Sequence, residues 1–202
     1  MNILFICTGN TCRSPMAEAL LKEHYPKARV QSAGVFASKA SEASINAIKA
    51  LAEQNIEINH QSQPVTDSLL DWADLVLTMT ENHKRHLIMA NPNFQEKCFT
   101  LKEYVSESSE QATWQQFMIA NTNYEEKRQR FILENQQKYT KDELHAALSV
   151  YLQEDFDKLR ELESRIENYD ISDPFGGDLS MYQETLKELE KNIDRLLKKI
   201  EA

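Results

Sequence analysis

The first hundred residues alternate between short β-like runs and helical patterns, and this alternation constrains the fold more than any other feature of the chain. It is typical of βαβ units, in which a helix connects two parallel strands. Residues 74–80 have the continuous apolar character expected of a strand that is covered on both faces. Further strands are predicted at residues 2–7, 29–32 and, more weakly, 99–101. The sequence therefore predicts an α/β fold with a parallel sheet.

The helices between these strands have recognisable starts and inner faces. Pro15 stands where a first helical residue is expected, directly after Ser14 as a possible N-cap, and this helix should end near Pro26. Four more helices are predicted, over residues 41–54, 66–72, 81–90 and from 179 to the C-terminus. The predicted inner face of the helix at 41–54 consists of Ile45, Ile48, Leu51 and Ala52.

A different composition begins after residue 93, because no glycine or proline occurs between there and residue 173. Glu, Gln, Lys, Arg and Asn dominate, and sparse large apolar residues form two helical stripes. Thr140 and Glu143 form a capping-box pattern at the start of the second stripe. We therefore predict two long helices, 106–136 and 141–169, joined by a short loop. This α-helical hairpin, 106–169, would interrupt one domain made of residues 1–105 and 170–202.

Charge and composition exclude several classes of protein. A net charge of −9 over 202 residues argues against nucleic-acid binding, which depends on clustered Lys and Arg. The apolar run at residues 3–6 is too short for a signal peptide or a membrane span, so we expect no membrane association and a cytoplasmic location. Three cysteines without a paired ligand cluster favour neither a disulfide framework nor a metal site, and no cofactor is indicated.

A cysteine and an arginine separated by five residues lie between the first predicted strand and the following helix. A loop of this length can direct its backbone N–H groups at an anion, while Arg13 binds two phosphate oxygens and Cys7 lies beneath the phosphorus. The loop amides, the helix dipole and Arg13 all favour a thiolate, which is a nucleophile at neutral pH. The alternative is a buried cysteine and a surface arginine with no chemistry.

The rest of this loop supplies the predicted phosphate-binding residues. Asn10 tolerates the positive φ that such a loop needs, and Ser14 can donate a hydrogen bond to the sulfur of Cys7. The predicted set is Thr8, Gly9, Asn10, Thr11, Cys12 and Ser14.

Phosphoryl transfer to Cys7 also requires a proton for the leaving group. Asp173 is the best candidate, because it stands in a loop bounded by proline and glycine that precedes a helix. The alternative is an ordinary turn residue, since Asp before Pro is common in turns.

These motifs resemble those of the low-molecular-weight protein tyrosine phosphatase superfamily, and most closely those of the bacterial protein arginine phosphatases. The resemblance covers residues 1 to about 105 and 171 to the C-terminus, and it is carried by residues 7–15, 32–34, 73–80 and the Asp173–Pro174 dipeptide. It implies a four-stranded parallel sheet flanked by helices, with Cys7 as nucleophile, Arg13 as phosphate clamp and Asp173 as acid and then base. It further implies that Asn10 and Ser14 support the loop, that Ser32 is a partner of Asn10, and that Cys12 can form a reversible disulfide with Cys7.

The resemblance predicts a protein phosphatase that hydrolyses phosphoarginine through a phosphocysteine intermediate. Thr11 replaces the Ile or Leu usual in the tyrosine phosphatases, and Gly176 and Gly177 replace an aromatic pair. Phosphotyrosine remains the alternative substrate. An arsenate reductase would need a further thiol pair that Cys98 does not supply, and a non-catalytic phosphoprotein-binding module is the alternative of another class. Three roles stay open for the hairpin: a packed helical pair without chemistry, a cover over the pocket, or a surface for self-association or partner binding.

Overall fold

The computed structural model describes residues 1–106, 108–165 and 168–201, without the side chains of residues 108–111. Four strands form one parallel sheet in the order β2-β1-β3-β4. They are β1 (Asn2–Cys7), β2 (Arg29–Gly34), β3 (Leu75–Thr78) and β4 (Cys98–Thr100). The predicted parallel α/β fold is confirmed.

Nine helices accompany the sheet in the described residues, together with a 3₁₀ helix at Pro92–Lys97. They are α1 (Arg13–His24), α2 (Ile45–Ala52), α3 (Asp67–Trp72), α4 (Glu81–Ala90), α5 (Leu101–Val105), α6 (Ser108–Asn135), α7 (Lys141–Tyr151), α8 (Gln153–Arg165) and α9 (Leu179–Glu201). None of the helices that the structure describes has the length and apolar character needed to cross a bilayer.

Alternation along β1 divides the core into two clusters. Ile3 and Phe5 belong to a cluster that includes residues of α1, α2, α5 and α9, whereas Leu4 and Ile6 belong to one that includes residues of α3 and α4. Successive strand residues point to opposite faces, so a fully apolar β1 requires helices on both sides. The carboxyl ends of the parallel strands consequently share one edge, where the loop after Cys7 lies.

Helix α2 is shorter than predicted, and its buried face is different. It begins at Ile45 because Glu42 pairs with Gln61 and the N–H of Ser44 donates to the carbonyl of Thr11. Its buried residues are Ala47, Ala50 and Leu51. Ile45 is 69% exposed and Ile48 and Ala52 are also exposed, so the predicted inner face is wrong at these three positions. Small alanines allow α2 to lie close to α1 and α9.

The chain separates into two compact units, Met1–Val105 with Tyr169–Ala202, and Ser106–Asn168. In the second unit, the first predicted long helix corresponds to α6, but the second is divided into α7 and α8 at Leu152 (φ −100°, ψ 4°). Residue 107 of the first predicted helix and residues 166–167 of the second lie outside the described residues. Tyr169, which we placed in the hairpin, is non-helical and belongs to the first unit.

Contacts within the second unit explain the break. Phe131 of α6 stacks on Tyr151 at the end of α7, with ring centroids 4.7 Å apart. Lys127 of α6 pairs with Asp155 of α8 at 2.7 Å. A turn at the buried Leu152 lets both short helices contact the same long helix. The predicted capping box of Thr140 and Glu143 is present at the start of α7.

Candidate active site

The loop between β1 and α1 surrounds the sulfur of Cys7. Ser14 Oγ lies 3.0 Å from Cys7 Sγ, and the backbone N–H of Asn10 donates to the same sulfur at 3.3 Å. Ser14 Oγ also accepts a hydrogen bond from Asn10 Nδ2 at 3.0 Å, so its own proton is donated elsewhere, with Cys7 Sγ at 3.0 Å as the nearer acceptor and the Ala33 carbonyl oxygen at 3.4 Å as the other. These donors stabilise negative charge on Cys7.

Asn10 holds the loop in shape. Its φ of 55° lies in the left-handed region, which asparagine adopts more readily than most residues. The side chain is fully buried and donates to Ser32 Oγ at 2.8 Å, while its Oδ1 accepts the backbone N–H of Gln63 at 2.9 Å. His60 Nε2 lies 2.8 Å from the Asn10 carbonyl oxygen. Because the backbone and side-chain polar groups of Asn10 all have hydrogen-bond partners, the loop is preorganised before any anion binds.

Arg13 and Asp173 form an ion pair beside the loop. Nη2 of Arg13 lies 2.8 Å from Oδ2 of Asp173, and Nη1 donates to the carbonyl of Ile171 at 3.3 Å. The guanidinium is 5% exposed, whereas the carboxylate is 52% exposed. The partner of Arg13 is therefore at the mouth of the site, where another anion can replace it.

A pocket of about 220 Å³ joins these groups. It is lined by Cys7, Thr8, Gly9, Thr11, Cys12, Arg13, Asp173 and Phe175. The structure thus brings together the three residues that we predicted to be catalytic, although Cys7 and Asp173 are far apart in sequence. Asn10, Ser14 and Ser32 are buried behind the pocket rather than on its wall, so their side chains support the loop.

Two buried side chains next to this pocket were not predicted from the sequence. His83 lies between two threonines, with Nε2 2.8 Å from Thr8 Oγ1 and Nδ1 2.8 Å from Thr80 Oγ1. Burial and, second, the charge of Arg13 lower its pKa from 6.5 to about 4. Thr80 caps α4 three residues before His83, but no sequence pattern links His83 to Thr8.

Tyr182 of α9 is the second missed residue. Its hydroxyl lies 3.3 Å from Cys12 Sγ and 3.0 Å from Ser44 Oγ. Burial, followed by the hydrogen bond with Cys12, raises the pKa of Tyr182, which therefore stays protonated. It connects the pocket wall to the start of α2.

The thiols have different surroundings. Cys7, Cys12 and Cys98 are all free and buried. Burial raises the pKa of Cys98 to about 11, so this thiol is unreactive at neutral pH. Among the described residues, no cluster of three or more His, Cys, Asp or Glu side chains is placed to hold a metal ion.

A thiol held beneath a preorganised anion-binding loop, at the carboxyl edge of a parallel sheet, defines the class of cysteine-dependent phosphatases. The family model described as low molecular weight phosphotyrosine protein phosphatase matches residues 2–131. The chain belongs to this family and is an enzyme of that class.

Its relatives carry two kinds of name. The protein-arginine-phosphatase of Bacillus subtilis (strain 168) is 50% identical over 112 residues, which cover 54% of this chain and 75% of that protein. The low molecular weight protein-tyrosine-phosphatase PtpB of Staphylococcus aureus is 43% identical over 110 residues, covering 54% and 78%.

A solved structure extends the likeness over the whole chain. It is a YwlE arginine phosphatase, in a cysteine-to-serine variant with a phosphorylated active-site serine. The two chains are 33% identical with a TM-score of 0.68, and the match covers 100% of this chain and 96% of the other.

Proposed function

We propose that this enzyme hydrolyses phosphoarginine on proteins, with Cys7 as nucleophile, Arg13 as phosphate clamp and Asp173 as acid and base. The observation that carries the proposal is the position of Cys7 Sγ, which receives hydrogen bonds from Ser14 and the Asn10 amide in a pocket that Arg13 and Asp173 also line. The arginine phosphatase names of the relatives support this substrate.

In the first step, the phosphoryl oxygens bind the loop amides and Arg13, which releases Asp173 from its ion pair. Once released from Arg13, the Asp173 carboxylate takes up a proton from solvent. Cys7 Sγ then attacks phosphorus, the P–N bond breaks, and Asp173 donates that proton to the departing nitrogen. A guanidine cannot leave as an anion, so this proton is essential.

In the second step, water attacks the phosphocysteine and Asp173 removes a proton from that water. The S–P bond breaks, inorganic phosphate forms, and Ser14 stabilises the sulfur that leaves. Asn10, with Ser32 behind it, keeps the loop closed through both steps.

Two features of the pocket mouth support arginine over tyrosine. Thr11 places a hydroxyl and a methyl group on the pocket wall, where a larger aliphatic side chain would pack against a flat ring. Gly176 has a φ of 78°, and a Cβ on Gly177 would lie 3.1 Å from the Pro174 carbonyl oxygen, so an aromatic pair at these positions would strain the backbone beside the mouth. Phosphotyrosine is the second candidate, favoured by the family's name and by the staphylococcal relative.

The test is kcat/KM on matched phosphoarginine and phosphotyrosine peptides. We expect the wild type to prefer phosphoarginine and Thr11→Ile to lose roughly tenfold of that preference, as one pocket contact allows. Cys7→Ser should abolish turnover of both peptides while phosphate still binds. A wild-type preference for phosphotyrosine would reject the arginine assignment. Phosphate binding by the wild type without turnover of either peptide would indicate a non-catalytic binding module.

We further propose that residues 1–105 and 169–202 form the phosphatase domain and that the hairpin, residues 106–168, binds a partner protein or a second copy. Exposed apolar side chains on the hairpin support this role, including Ile119, Leu133 and Val150. The free thiols support a cytoplasmic location, where thiols stay reduced.

A further inference from the structure

Residues 170–172 form the segment just before Asp173. Hydrogen bonds from several elements hold this segment, and two charged residues outside the pocket form many of these bonds. We propose that Glu188 of α9, together with Lys102 of α5, is a positioning residue that fixes where the Asp173 carboxyl group stands. This inference rests on the proposed role of Asp173 as acid.

Glu188 acts through Ser172, the neighbour of Asp173 in the chain. Its Oε2 accepts the backbone N–H of Ser172 at 3.0 Å and the Ser172 hydroxyl at 2.7 Å. The same hydroxyl lies 3.0 Å from Thr185 Oγ1. Because both the backbone and the side chain of Ser172 are held, the direction in which the chain enters Asp173 is fixed.

Lys102 connects Glu188 to the residue where the segment begins. Lys102 Nζ lies 2.6 Å from Glu188 Oε1 and donates to the carbonyl of Asp170 at 2.7 Å. Asp170 Oδ1 in turn accepts the backbone N–H of Glu81, the first residue of α4, at 2.8 Å. The two ends of the segment, Asp170 and Ser172, are thus held by one ion pair.

Ile171, between them, is tied to the sheet and to the pocket. Its N–H donates to the carbonyl of Met79 at 2.8 Å, and its own carbonyl accepts from Arg13. Asp173 is the first residue after this bound segment, and its carboxylate is half exposed. Such an arrangement places an acid accurately while leaving its side chain free to change partners when phosphate arrives.

The charge of Glu188 is needed for this arrangement. Burial opposes ionisation, but hydrogen bonds from Lys102 and Ser172 outweigh it and lower the pKa of Glu188. A glutamine at this position has one acceptor oxygen and one amide group. Whichever way the amide is turned, its N–H₂ faces either Lys102 Nζ or the Ser172 donors, so one of the two contacts is lost.

Dependence on the leaving group distinguishes positioning of an acid from general stability. A 2,4-dinitrophenolate leaves without a proton, whereas a guanidine or an alkyl-substituted phenol depends on the acid. The rate of Cys7 phosphorylation should be measured in single turnovers with aryl phosphates of rising leaving-group pKa and with a phosphoarginine peptide. The variants are Glu188→Gln, Lys102→Gln, Ser172→Ala and Asp173→Asn, with the exposed Glu184→Gln on the same helix as control.

We expect Asp173→Asn to slow the poor leaving groups about a hundredfold, and Glu188→Gln about tenfold, with little effect of either on 2,4-dinitrophenyl phosphate. Lys102→Gln and Ser172→Ala should show the same selectivity with smaller losses, which keeps the test valid if Glu188→Gln folds poorly. The double variant Asp173→Asn/Glu188→Gln should be no slower than Asp173→Asn, because Glu188 acts only through the acid.

Two results would overturn the inference. If Glu188→Gln slowed the reactions of all leaving groups equally, Glu188 would have a purely structural role. The proposed function would remain intact in that case, provided that Asp173→Asn slowed only the poor leaving groups. No leaving-group selectivity in Asp173→Asn would remove the acid role itself and, with it, any positioning of that acid.

Discussion

His83 is a buried histidine that is neutral in the folded protein at physiological pH, because its pKa is about 4. In the unfolded chain, the pKa of histidine is near 6.5. As pH falls below that value, the unfolded chain binds a proton that folded His83 does not, so folding becomes less favourable. This stabilisation is fully present above pH 6.5 and is lost towards pH 4.

We therefore expect His83 to account for about 2 kcal/mol of lost unfolding free energy between pH 7 and pH 5. Urea denaturation of the wild type and of His83→Asn at several pH values measures this slope. His145→Asn, at an exposed position of α7, is the control and should leave the slope unchanged. An identical slope in His83→Asn would show that another group causes the acid sensitivity.

At this same scale, residue spacing was informative where neighbours along the chain share the chemistry, whereas the distant Asp173 was predicted from its own loop, bounded by proline and glycine, and from the family resemblance. Cys7, Asn10, Arg13 and Ser14 lie on one short loop, so their spacing indicated their relation. His83 contacts Thr8, which lies 75 positions earlier in the chain, and Tyr182 contacts Cys12, which lies 170 positions earlier. Only the folded chain reveals such contacts.

Among the elements, β2 and the phosphate-binding loop are in close contact at Gly34. A Cβ on Gly34 would lie 2.6 Å from the Thr8 carbonyl oxygen and 2.9 Å from the Asn10 nitrogen, both of them backbone atoms. We expect Gly34→Ala to displace the loop and to weaken phosphate binding by roughly tenfold or more, since such overpacking costs about 1–3 kcal/mol.

Isothermal titration with phosphate measures this effect, with Arg29→Ala at the exposed start of β2 as control. Thermal unfolding of the same variants separates a displaced loop from a protein that has lost its fold. Unchanged phosphate affinity in Gly34→Ala would mean that the loop adapts without loss.

Elements with one strong signal were predicted well, and those decided by packing were not. A continuous apolar run gave β1 with its observed bounds, and the helix predicted over residues 81–90 matches the bounds of α4. The burial of α2 depends on how closely it lies against α1 and α9, which favoured alanine over isoleucine. Similarly, the contacts of α6 with both α7 and α8 cause a break at Leu152 that helical periodicity alone does not show.

For the whole molecule, the two compact units make a prediction about the hairpin. Every residue that lines the pocket, and every contact described for the segment before Asp173, lies in residues 1–105 and 169–202. Replacing residues 106–168 with a short glycine-rich linker should therefore leave kcat/KM on a small aryl phosphate within about threefold of the full chain.

Steady-state kinetics and light scattering of both proteins test this expectation. A folded but inactive shortened chain would show that the hairpin contributes to the site. Self-association of the full chain alone would identify the hairpin as the surface that binds a second copy.

The ion pair of Lys102 with Glu188 has a consequence for engineering. Lys102 lies three residues before Val105, where the chain leaves the first unit. Its side chain donates to the carbonyl of Asp170, which lies one residue after Tyr169, where the chain returns. Exit and return are thus joined by the same side chain. The part of the chain between Val105 and Tyr169 is therefore a suitable place to insert another domain, such as a sensor or affinity module, without loss of the catalytic site.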